Sequence, residues 1–312
     1  METLDRLIWR DGSFIKWADA NIHILSQSLQ RGTLAFDYIS VNETPKGPAI
    51  FRLREHMERL VETCRLGNLP LSYTASEMCD AAVETVRRNP DAKSIKISAL
   101  IPSLEVDVVP QDSTISVFIA AYDGEADIIA KNKGEFHRAR NLKLYIEEEK
   151  RNRRDDIMPA QAKIAANYAS PMTAKWKARK AGYDEIVLLD EDGFVTEAPT
   201  SNIFIVTSNG ILKTPPEHKV LHGITRLSVL ELAAARGINV IAEDLLPADI
   251  LGAAEVFMTA TSAGVLPVES INNQAIGKGV AGEITLGLKS HLKKIEQGQD
   301  EKFQHWLTYV NM

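Results

Sequence analysis

The stretch Phe51-Arg-Leu-Arg-Glu-His-Met-Glu-Arg-Leu60 decides how the first part of this chain folds. Apolar residues recur through it and just beyond it at Leu53, Met57, Leu60, Val61 and Cys64. This spacing places them along one side of a helix. Gly67 and Pro70 then end the pattern. The stretch therefore predicts an amphipathic helix with one side packed against a core.

Extended segments and a second helix surround this one. Asp11-Gly12 separates two short apolar runs, which is the strongest short-range signal for a β-hairpin. Thr74-Ala-Ser-Glu77 has the spacing of a capping box, so another helix is expected to begin there. The apolar segments 94–102 and 114–122 are predicted to be strands. Residues 1–122 are therefore predicted to form a smaller α/β domain.

The second part of the chain has a different pattern. Residues 123–135 lose apolar periodicity and are predicted to form a loop between two domains. Beyond them, Asp192-Gly193 and Asn209-Gly210 mark tight turns between strand-like runs, among them 202–206. Residues 136–312 are predicted to form a larger domain that is rich in sheet and also contains helices. The whole chain is accordingly expected to have an α+β fold.

The composition argues against several classes of function. The chain has 312 residues, a formal net charge of −6 and a pI near 5.7, which give no general attraction for nucleic acids or anionic membranes. It has no apolar run of about 18 residues and no signal-peptide pattern. Cys64 and Cys79 lack the spacing of a metal or redox motif and are interpreted as core thiols. We therefore expect a soluble cytoplasmic protein with no metal site and no nucleic-acid or membrane partner.

A lysine and a glutamate stand out as candidates for chemistry. Lys163 lies among small and apolar residues, where desolvation lowers the pKa of an amine and makes it nucleophilic toward a carbonyl. Glu197 follows a predicted hairpin and precedes a strand that should be buried. A carboxylate there can pair with a protonated ring nitrogen. The alternatives are a solvated surface lysine and a turn glutamate.

Two further segments suit a phosphate group. Gly223-Ile-Thr-Arg226 opens a predicted helix, whose first N–H groups and dipole favour an anion. Thr225 is alternatively the N-cap of that helix. Thr259-Ala-Thr-Ser-Ala-Gly264 ends a predicted strand in small hydroxylic residues, where N–H groups can face an anion or can simply form a turn.

These residues, in this order, closely resemble the class IV (fold-type IV) pyridoxal-phosphate aminotransferases, and in particular the branched-chain aminotransferases. The resemblance covers almost the entire chain. It is carried by Trp17-Ala-Asp-Ala20, Gly32-Thr-Leu-Ala-Phe36, Phe51 to Leu60, Lys163, Tyr168, Glu197, Asn202, Gly223-Ile-Thr-Arg226 and Thr261. It implies that the larger domain is a pseudo-barrel that binds pyridoxal 5'-phosphate.

The resemblance also implies roles for individual residues. Lys163 would form the Schiff base with the cofactor, Tyr168 would hydrogen-bond its phenolate oxygen, and Glu197 would hold its pyridinium nitrogen. The other implied cofactor contacts are Arg59, Asn202, Ile224, Thr225 and Thr261. The implied reaction is a ping-pong transfer of an amino group from an apolar, branched-chain-like amino acid to 2-oxoglutarate. A homodimer is expected on the same basis.

The expected substrate pocket departs from the branched-chain pattern. Relatives usually carry an aromatic residue where this chain has Arg31, and Glu-Gly-Ile-Arg where it has Asp37-Tyr-Ile-Ser40. A Tyr-x-Arg that handles the substrate carboxylate is replaced by Ile95-Lys-Ile97. We hypothesise that Arg31, or an arginine within 150–154, binds the carboxylate instead. The residues expected to line the pocket are Arg31, Phe36, Tyr38, Ile95, Ile97, Thr261 and Ser262.

Other functions remain open at this point. A transaminase for D-amino acids or (R)-amines, or an aminodeoxychorismate-type lyase, would share the entire cofactor site. Outside enzymology, the charged segment 147–156 is a candidate docking segment of a binding protein. Such runs are usually solvated loops.

Overall fold

The computed structural model describes residues 4–130, 141–152, 154 and 156–310. They fold as two compact units. The first consists of the described residues within Met1–His137, Ala162–Ala166 and Ile295–Met312. The second consists of those within Arg138–Gln161 and Asn167–Lys294.

The described residues form strands and helices with the following bounds. The strands are β1 Leu7–Arg10, β2 Ser13–Lys16, β3 Ala35–Asn42, β4 Ala49–Phe51, β5 Ser94–Leu100, β6 Ser116–Tyr122, β7 Leu142–Arg151, β8 Glu185–Leu189, β9 Glu197–Ala198, β10 Ser201–Val206, β11 Leu212–Thr214, β12 Val240–Ala242, β13 Glu255–Ala260, β14 Gly264–Ile271, β15 Gln274–Ala275 and β16 Leu307–Tyr309. The α-helices are α1 Gln27–Arg31, α2 Leu53–Leu66, α3 Ala75–Arg87, α4 Ala169–Lys180, α5 Ile224–Ala235, α6 Pro247–Leu251 and α7 Glu283–Glu296. Strands and helices together confirm the predicted α+β class.

The first unit is built on an antiparallel sheet with strand order β16-β4-β3-β5-β6-β1-β2. The predicted hairpin is present, because Asp11 and Gly12 both have positive φ, as a tight turn between β1 and β2 requires. Along β3, buried and half-buried residues alternate strictly. One side of β3 therefore packs in the core, and the other forms a partly accessible surface.

Helices α2 and α3 belong to this unit, and both sequence predictions are confirmed. Leu53, Met57 and Leu60 of α2 are fully buried, as the helical spacing predicted. The capping box of α3 is complete, since Glu77 N donates to Thr74 Oγ1 and Thr74 N donates to Glu77 Oε2.

Both cysteines are free thiols, and burial raises the pKa of Cys64 to about 12.

The second unit contains a nine-stranded sheet. Its main strand order is β12-β11-β10-β13-β14-β7-β8, with β9 paired to β10 and β15 paired to β14. In the middle of this order, β10 and β13 are buried at nearly every position, and β8 at its end is buried at every position. On one side, Ile203, Met258 and Val268 lie in a single large core cluster. In a second, smaller core cluster, Ala174 and Ala178 of α4 pack against Ile186 and Leu188 of β8.

The units differ from the predicted domains in three places. Gly124–Ile129, expected in the interdomain loop, forms a short helical segment whose first N–H groups donate to Asp123 Oδ1, while 131–135 lie outside the described residues. The C-terminal strand β16 belongs to the first unit because it pairs with β4. Ala162–Ala166 also belongs to the first unit. The prediction that 136–312 form one domain is corrected accordingly.

Candidate active site

The backbone around Lys163 is fixed by β3 and α2. Ile164 forms a β-bridge with Ala35, and Phe36 N donates to the Lys163 carbonyl at 3.1 Å. Lys163 N donates to Thr63 Oγ1, also at 3.1 Å, and Thr63 is fully buried in α2. The Lys163 side chain is half-buried. A lysine held at its backbone on both sides can present its amine in a defined position.

Close to this segment, a buried carboxylate connects two residues of α2. Asp37 accepts from Arg59 Nε at 2.9 Å and from Arg59 Nη2 at 2.7 Å, and His56 Nδ1 lies 2.9 Å from Asp37 Oδ1. Since a carboxylate only accepts, the Nδ1 of His56 carries the proton. Burial alone would raise the pKa of Asp37, but the charge of Arg59 and the hydrogen bonds from His56 and Arg59 outweigh it and hold that pKa well below its usual range.

His56 itself is fully buried, and its Nε2 has no hydrogen-bond partner among the described residues. Burial lowers the pKa of His56, and the positive charges of Arg59 and Lys163 lower it further against the attraction of Asp37. Both effects favour the neutral form of the ring. The carboxylate of Asp37 makes a bidentate pair with the guanidinium of Arg59.

The ammonium groups of two lysines lie over the ring of Phe36. Lys163 Nζ lies 5.1 Å from the ring centroid, and Lys96 Nζ lies 4.5 Å from it. Lys96 stands on β5 directly opposite Tyr38 of β3. Burial lowers the pKa of Lys96, and the charge of Lys163 lowers it further. The predicted pocket residues Phe36 and Tyr38 are both half-buried on this side of the sheet.

Ile95 and Ile97 lie on the other side of the same sheet. Ile95 pairs with Ile39 of β3, and Ile97 pairs with Asp37 of β3, so both side chains point toward the core. Both are completely inaccessible to solvent. Their predicted role in lining a substrate pocket is therefore wrong. Both residues pack in the core, and Lys96 between them is the residue that faces the accessible side.

The position of Arg31 is set by the end of α1 and by a backbone carbonyl of a loop. It ends α1 with an exposed side chain, and its Nη2 donates to the Val106 carbonyl at 3.3 Å. In the segment 150–154, Arg151 is exposed and donates to the Glu148 carbonyl, Arg154 pairs with Asp156, and residue 153 lies outside the described residues. The hypothesis that one of these arginines binds a substrate carboxylate stays a prediction.

In the second unit, three neighbouring strands place polar side chains in a row. Glu197 of β9 pairs with Asn202 of β10, which pairs with Thr259 of β13. Glu197 is 2% exposed, and its Oε2 accepts from Asn202 Nδ2 and from Leu221 N, both at 3.1 Å. Thr259 is equally buried, and its Oγ1 has no partner among the described residues. The row holds a buried carboxylate in a fixed orientation.

The row continues to the start of α5 through Gly223. Asn202 Nδ2 also donates to the Leu221 carbonyl at 2.9 Å, and a Cβ on Gly223 would lie 1.9 Å from Asn202 Oδ1. Gly223 is the N-cap of α5, and no side chain caps the helix. Thr225 lies inside the first turn, so its alternative role as the N-cap is wrong. The first N–H groups of α5, including those of Ile224 and Thr225, therefore remain available to an anion.

Arg226 is a buried cation in the same turn. Its Nη2 donates to the Pro215 carbonyl at 3.1 Å, and its Nε has no partner among the described residues. Burial lowers the pKa of Arg226, against the attraction of the carboxylates of Glu217 and Glu197. Arg226 therefore places a positive charge near the carboxylate of Glu197.

The remaining candidates are more accessible. Tyr168 is half-buried immediately before α4. Thr261 and Ser262 lie in the turn that joins β13 to β14, where Thr261 is half-buried and Ser262 is exposed.

Among the described residues, no group of three or more His, Cys, Asp or Glu side chains is placed to hold a metal ion. None of the described helices is long and apolar enough to cross a membrane.

Each unit contains groups that suit a part of pyridoxal phosphate. The first unit supplies a positioned amine and an oriented guanidinium, in Lys163 and Arg59. The second unit supplies a buried carboxylate for a protonated ring nitrogen, in Glu197, and an uncapped helix start for a phosphate. The close approach of Gly223 to Asn202 links the carboxylate and the helix start within one rigid arrangement.

Sequence reasoning missed four of the residues that organise these sites: Asp37, His56, Thr63 and Lys96. The period of two along β3 would have identified Asp37, since it lies on the same side as the apolar Ala35 and Ile39. The helical spacing of α2 would have placed His56 beside Arg59. Nothing in the sequence pairs Thr63 with Lys163, because that contact joins distant parts of the chain.

Comparisons with known proteins give a consistent result. The family model described as amino-transferase class IV matches residues 34–271. The chain is 32% identical to a branched-chain-amino-acid aminotransferase of Salmonella typhimurium, over 97% of each protein. The branched-chain amino acid aminotransferase of T.th. complexed with N-(5'-phosphopyridoxyl)-L-glutamate superposes with a TM-score of 0.90 at 33% identity, covering 99% of this chain and all of that one. The same enzyme complexed with 4-methylvaleric acid gives 0.89 at 34% identity, with the same coverage.

Proposed function

This chain belongs to the class IV aminotransferases, and from that membership we propose that it transfers the amino group of a branched-chain amino acid to 2-oxoglutarate, with pyridoxal phosphate attached to Lys163. The observation that carries the proposal is similarity over nearly the full length of branched-chain aminotransferases, together with a fixed lysine. The complexes of the T.th. enzyme with a phosphopyridoxyl-glutamate and with 4-methylvaleric acid support both the cofactor and the two substrate types.

Pyridoxal phosphate, when bound, supplies a ring that withdraws electrons from the substrate's α-carbon. Lys163 Nζ would hold the cofactor covalently and would become a free amine when a substrate amine replaces it. That amine would take up the α-proton of the substrate and later release it, while water would supply the oxygen of the oxo-acid product. The contacts of the Lys163 backbone with Phe36 and Thr63 keep this amine in one place through both tasks.

Glu197 is proposed to keep a proton on the ring nitrogen of the cofactor. The donors Asn202 Nδ2 and Leu221 N hold its carboxylate in orientation, and the buried Arg226 favours its negative charge. We propose that Asn202, which the family resemblance implies as a cofactor contact, acts through Glu197 in this way. Tyr168 is proposed to donate to the phenolate oxygen of the cofactor.

The phosphate is proposed to bind Arg59, the N–H groups of Ile224 and Thr225, and Thr261. A guanidinium suits a phosphate oxygen pair, and the start of α5 adds N–H donors and the helix dipole. Asp37 keeps the Arg59 guanidinium in one orientation through two hydrogen bonds. These contacts require no side-chain cap on α5, and none is present among the described residues.

The test follows the visible absorbance of the purified holoenzyme while single amino compounds are added. L-leucine, L-isoleucine and L-valine are each expected to remove the band of the lysine-bound cofactor, and 2-oxoglutarate is expected to restore it. A response only to D-amino acids or (R)-amines would instead assign the chain to that group of transaminases. Release of pyruvate from aminodeoxychorismate would assign it to the lyases. A colourless protein that ignores added pyridoxal phosphate would contradict the proposal entirely.

Gly223 offers a direct test of the cofactor site. In Gly223→Ala the new methyl group would collide with Asn202 Oδ1, so Asn202 must move away from Glu197 and the first turn of α5 must shift. The loss of a charge-assisted hydrogen bond predicts an affinity for pyridoxal phosphate that is lower by about tenfold or more. A titration of the apoenzyme by absorbance measures it.

Gly124→Ala is the matched control for that substitution. Its added methyl would make only an ordinary contact, 3.7 Å from the Tyr122 ring. Cofactor affinity should therefore match that of the wild type. Equal affinities for all three proteins would contradict the proposed part played by Gly223 and Asn202.

We also propose that the chain forms a homodimer. Several large apolar side chains of the first unit are exposed, an arrangement typical of interaction surfaces. They are Ile24, Leu25, Leu29, Leu104, Val106, Val108 and Val109. Sedimentation equilibrium of the holoenzyme would test this proposal, and a monomer at micromolar concentration would contradict it.

A further inference from the structure

The carboxylate of Asp37 accepts four hydrogen bonds, three of them at the same oxygen. Its Oδ1 accepts from Arg59 Nη2 at 2.7 Å, from His56 Nδ1 at 2.9 Å and from Tyr38 N at 2.7 Å. Its Oδ2 accepts from Arg59 Nε at 2.9 Å. Arg59 Nη2 and His56 Nδ1 lie only 3.3 Å apart, because both donate to Oδ1. We call Asp37, His56 and Arg59 the Asp37 cluster.

Water cannot replace a missing donor in the Asp37 cluster. The side chains of Asp37 and His56 are completely inaccessible, and that of Arg59 is 8% exposed. Two other buried arginines, Arg6 and Arg52, pair with carboxylates that are 10–75% exposed, so water reaches those pairs. The orientation of the Asp37 carboxylate is therefore determined by protein donors alone.

His56 is the described side chain that donates to Asp37 in addition to Arg59. The other donor, Tyr38 N, belongs to the next residue of β3 and moves with Asp37, whereas His56 approaches from α2. His56 precedes Arg59 by three residues, so the two side chains lie on one side of that helix. His56 thus supplies a hydrogen bond to Asp37 that depends neither on β3 nor on the guanidinium.

The pairing with Asp37 determines which way the Arg59 guanidinium faces. Nε and Nη2 form one edge of this planar group, and both donate to Asp37. The plane of the guanidinium therefore follows the plane of the carboxylate. A carboxylate that rotated about its Cβ–Cγ bond would either turn the guanidinium or break one of the two hydrogen bonds. The direction of Arg59 thus depends on whatever prevents that rotation.

From this arrangement we infer that His56 is a positioning residue for the phosphate group of the cofactor, acting through Asp37 on Arg59. The inference rests on the proposed function, in which Arg59 binds that phosphate. The hydrogen bond from His56 Nδ1 to Asp37 Oδ1 prevents rotation of the carboxylate, so Arg59 keeps one direction before the phosphate arrives. Less ordering is then needed on binding, which raises the affinity.

This role requires a neutral ring with its proton on Nδ1. His56 Nε2 is buried and has no partner among the described residues, so a proton there would be a buried donor without an acceptor. It would also add a positive charge that faces Arg59 of the same helix and Lys163. Burial lowers the pKa of His56, and these two charges lower it further against the attraction of Asp37.

The experiment compares the affinity of the apoenzyme for pyridoxal phosphate with its affinity for pyridoxal, which lacks the phosphate. His56→Leu removes the donor and keeps an apolar side chain in the buried space. His56→Asn places an amide nitrogen close to the position of Nδ1 and so keeps the donor. Titration by absorbance gives both Kd values for the wild type and for each variant. The ratio of the two Kd values isolates the contribution of the phosphate.

His56→Leu is expected to weaken the binding of pyridoxal phosphate by about tenfold or more, the effect of losing one hydrogen bond to a charged group. The binding of pyridoxal should stay the same, because no phosphate is present for Arg59 to contact. His56→Asn should restore most of the lost affinity. A ratio of Kd values that is the same in His56→Leu as in the wild type would overturn the inference.

Met78→Ala is the control for a general loss of stability. It truncates a fully buried side chain of α3 in the same unit and leaves a cavity, so Tm should fall. Met78 is not part of the Asp37 cluster, so the ratio of the two Kd values should equal that of the wild type. A ratio shifted as far as in His56→Leu would identify the role of His56 as merely structural and would also overturn the inference.

A second measurement applies even where His56→Leu does not fold. In the wild-type holoenzyme labelled with ¹⁵N in histidine, the nuclear magnetic resonance of the ring nitrogens reports which of them carries a proton. The signals that are missing from His56→Asn belong to His56. They should show a neutral ring protonated on Nδ1 at pH 7. A cationic ring, or a proton on Nε2 alone, would contradict the role.

Failure of the proposed function would give a different result. A wild-type apoenzyme that binds pyridoxal as tightly as pyridoxal phosphate contradicts the proposed phosphate contacts, whatever His56 does. A wild type that strongly prefers pyridoxal phosphate, alongside a His56→Leu variant with the same preference, contradicts only the assignment of His56.

Discussion

Replacing Lys163 by alanine is expected to lower kcat/KM for transamination by at least about 100- to 10,000-fold, the range typical of removing a positioned acid–base group. The substitution removes both the covalent attachment of the cofactor and the amine that moves the α-proton. The fold should survive, because the hydrogen bonds that fix this segment come from the backbone, with Thr63 and Phe36. The measurement is the initial rate of oxo-acid formation from leucine and 2-oxoglutarate.

The Lys163→Arg variant distinguishes the effect of the positive charge on activity from the effect of proton transfer. A guanidinium keeps the positive charge near Phe36 but does not deprotonate in proteins, so this variant should be as inactive as the alanine variant. Lys93→Ala, at an exposed lysine, should retain full activity. Activity within tenfold of the wild type in either Lys163 variant would contradict the assignment of this residue.

Replacing Asp37 by asparagine is expected to destabilise the protein by about 3–5 kcal/mol, the cost of leaving a buried charge without its partner. Asparagine has nearly the same shape but cannot neutralise Arg59, and its amide group would place a donor against the donors of Arg59 and His56. Asp37 is completely inaccessible, so water cannot compensate. Urea unfolding of the two proteins measures the difference in free energy.

The sign of the pH dependence follows from the lowered pKa of Asp37. A carboxyl whose pKa is lower in the folded protein contributes stability above its unfolded pKa of about 3.9. That contribution is lost as the pH falls below this value toward the folded pKa. The difference between the wild type and Asp37→Asn should therefore be constant from pH 7 to about pH 5 and should narrow below about pH 4.

Glu58→Gln provides the matched control on the same helix. Glu58 pairs with Arg54 in an exposed ion pair, of the kind that contributes between zero and about 1 kcal/mol. Its loss should scarcely change the free energy of unfolding. An Asp37→Asn protein that is as stable as Glu58→Gln would show that Arg59 and His56 do not depend on the Asp37 carboxylate.

The features that the sequence predicted correctly depend on local signals. The hairpin at Asp11-Gly12 and the capping box at Thr74 arise from interactions within a few residues. The helix α2 follows from the repetition of apolar residues every three to four positions. The roles of Lys163 and Glu197 are implied by the family resemblance and stay predictions.

The errors come from contacts between distant residues. The prediction for Ile95 and Ile97 is wrong for another reason: it followed the positions of the family's Tyr-x-Arg and not the alternation along β5, whose apolar Ile95, Ile97 and Ala99 are buried. The register with β3 agrees with that alternation and places Lys96 on the other side. Strand β16 is short, and its pairing with β4 crosses most of the chain, so no local pattern predicts its place in the first unit.

The placement of Ala162–Ala166 also determines how this protein can be divided. These five residues belong to the first unit, although the chain on either side of them belongs to the second. No single cleavage of the polypeptide therefore yields two self-sufficient fragments, and a fragment of the second unit alone would carry Lys163 without Thr63 or Phe36. Because Ala165 N donates to the carbonyl of Leu34 across more than a hundred residues, Lys163 reaches its place only after a long loop has closed. Contacts between such distant residues favour slow folding.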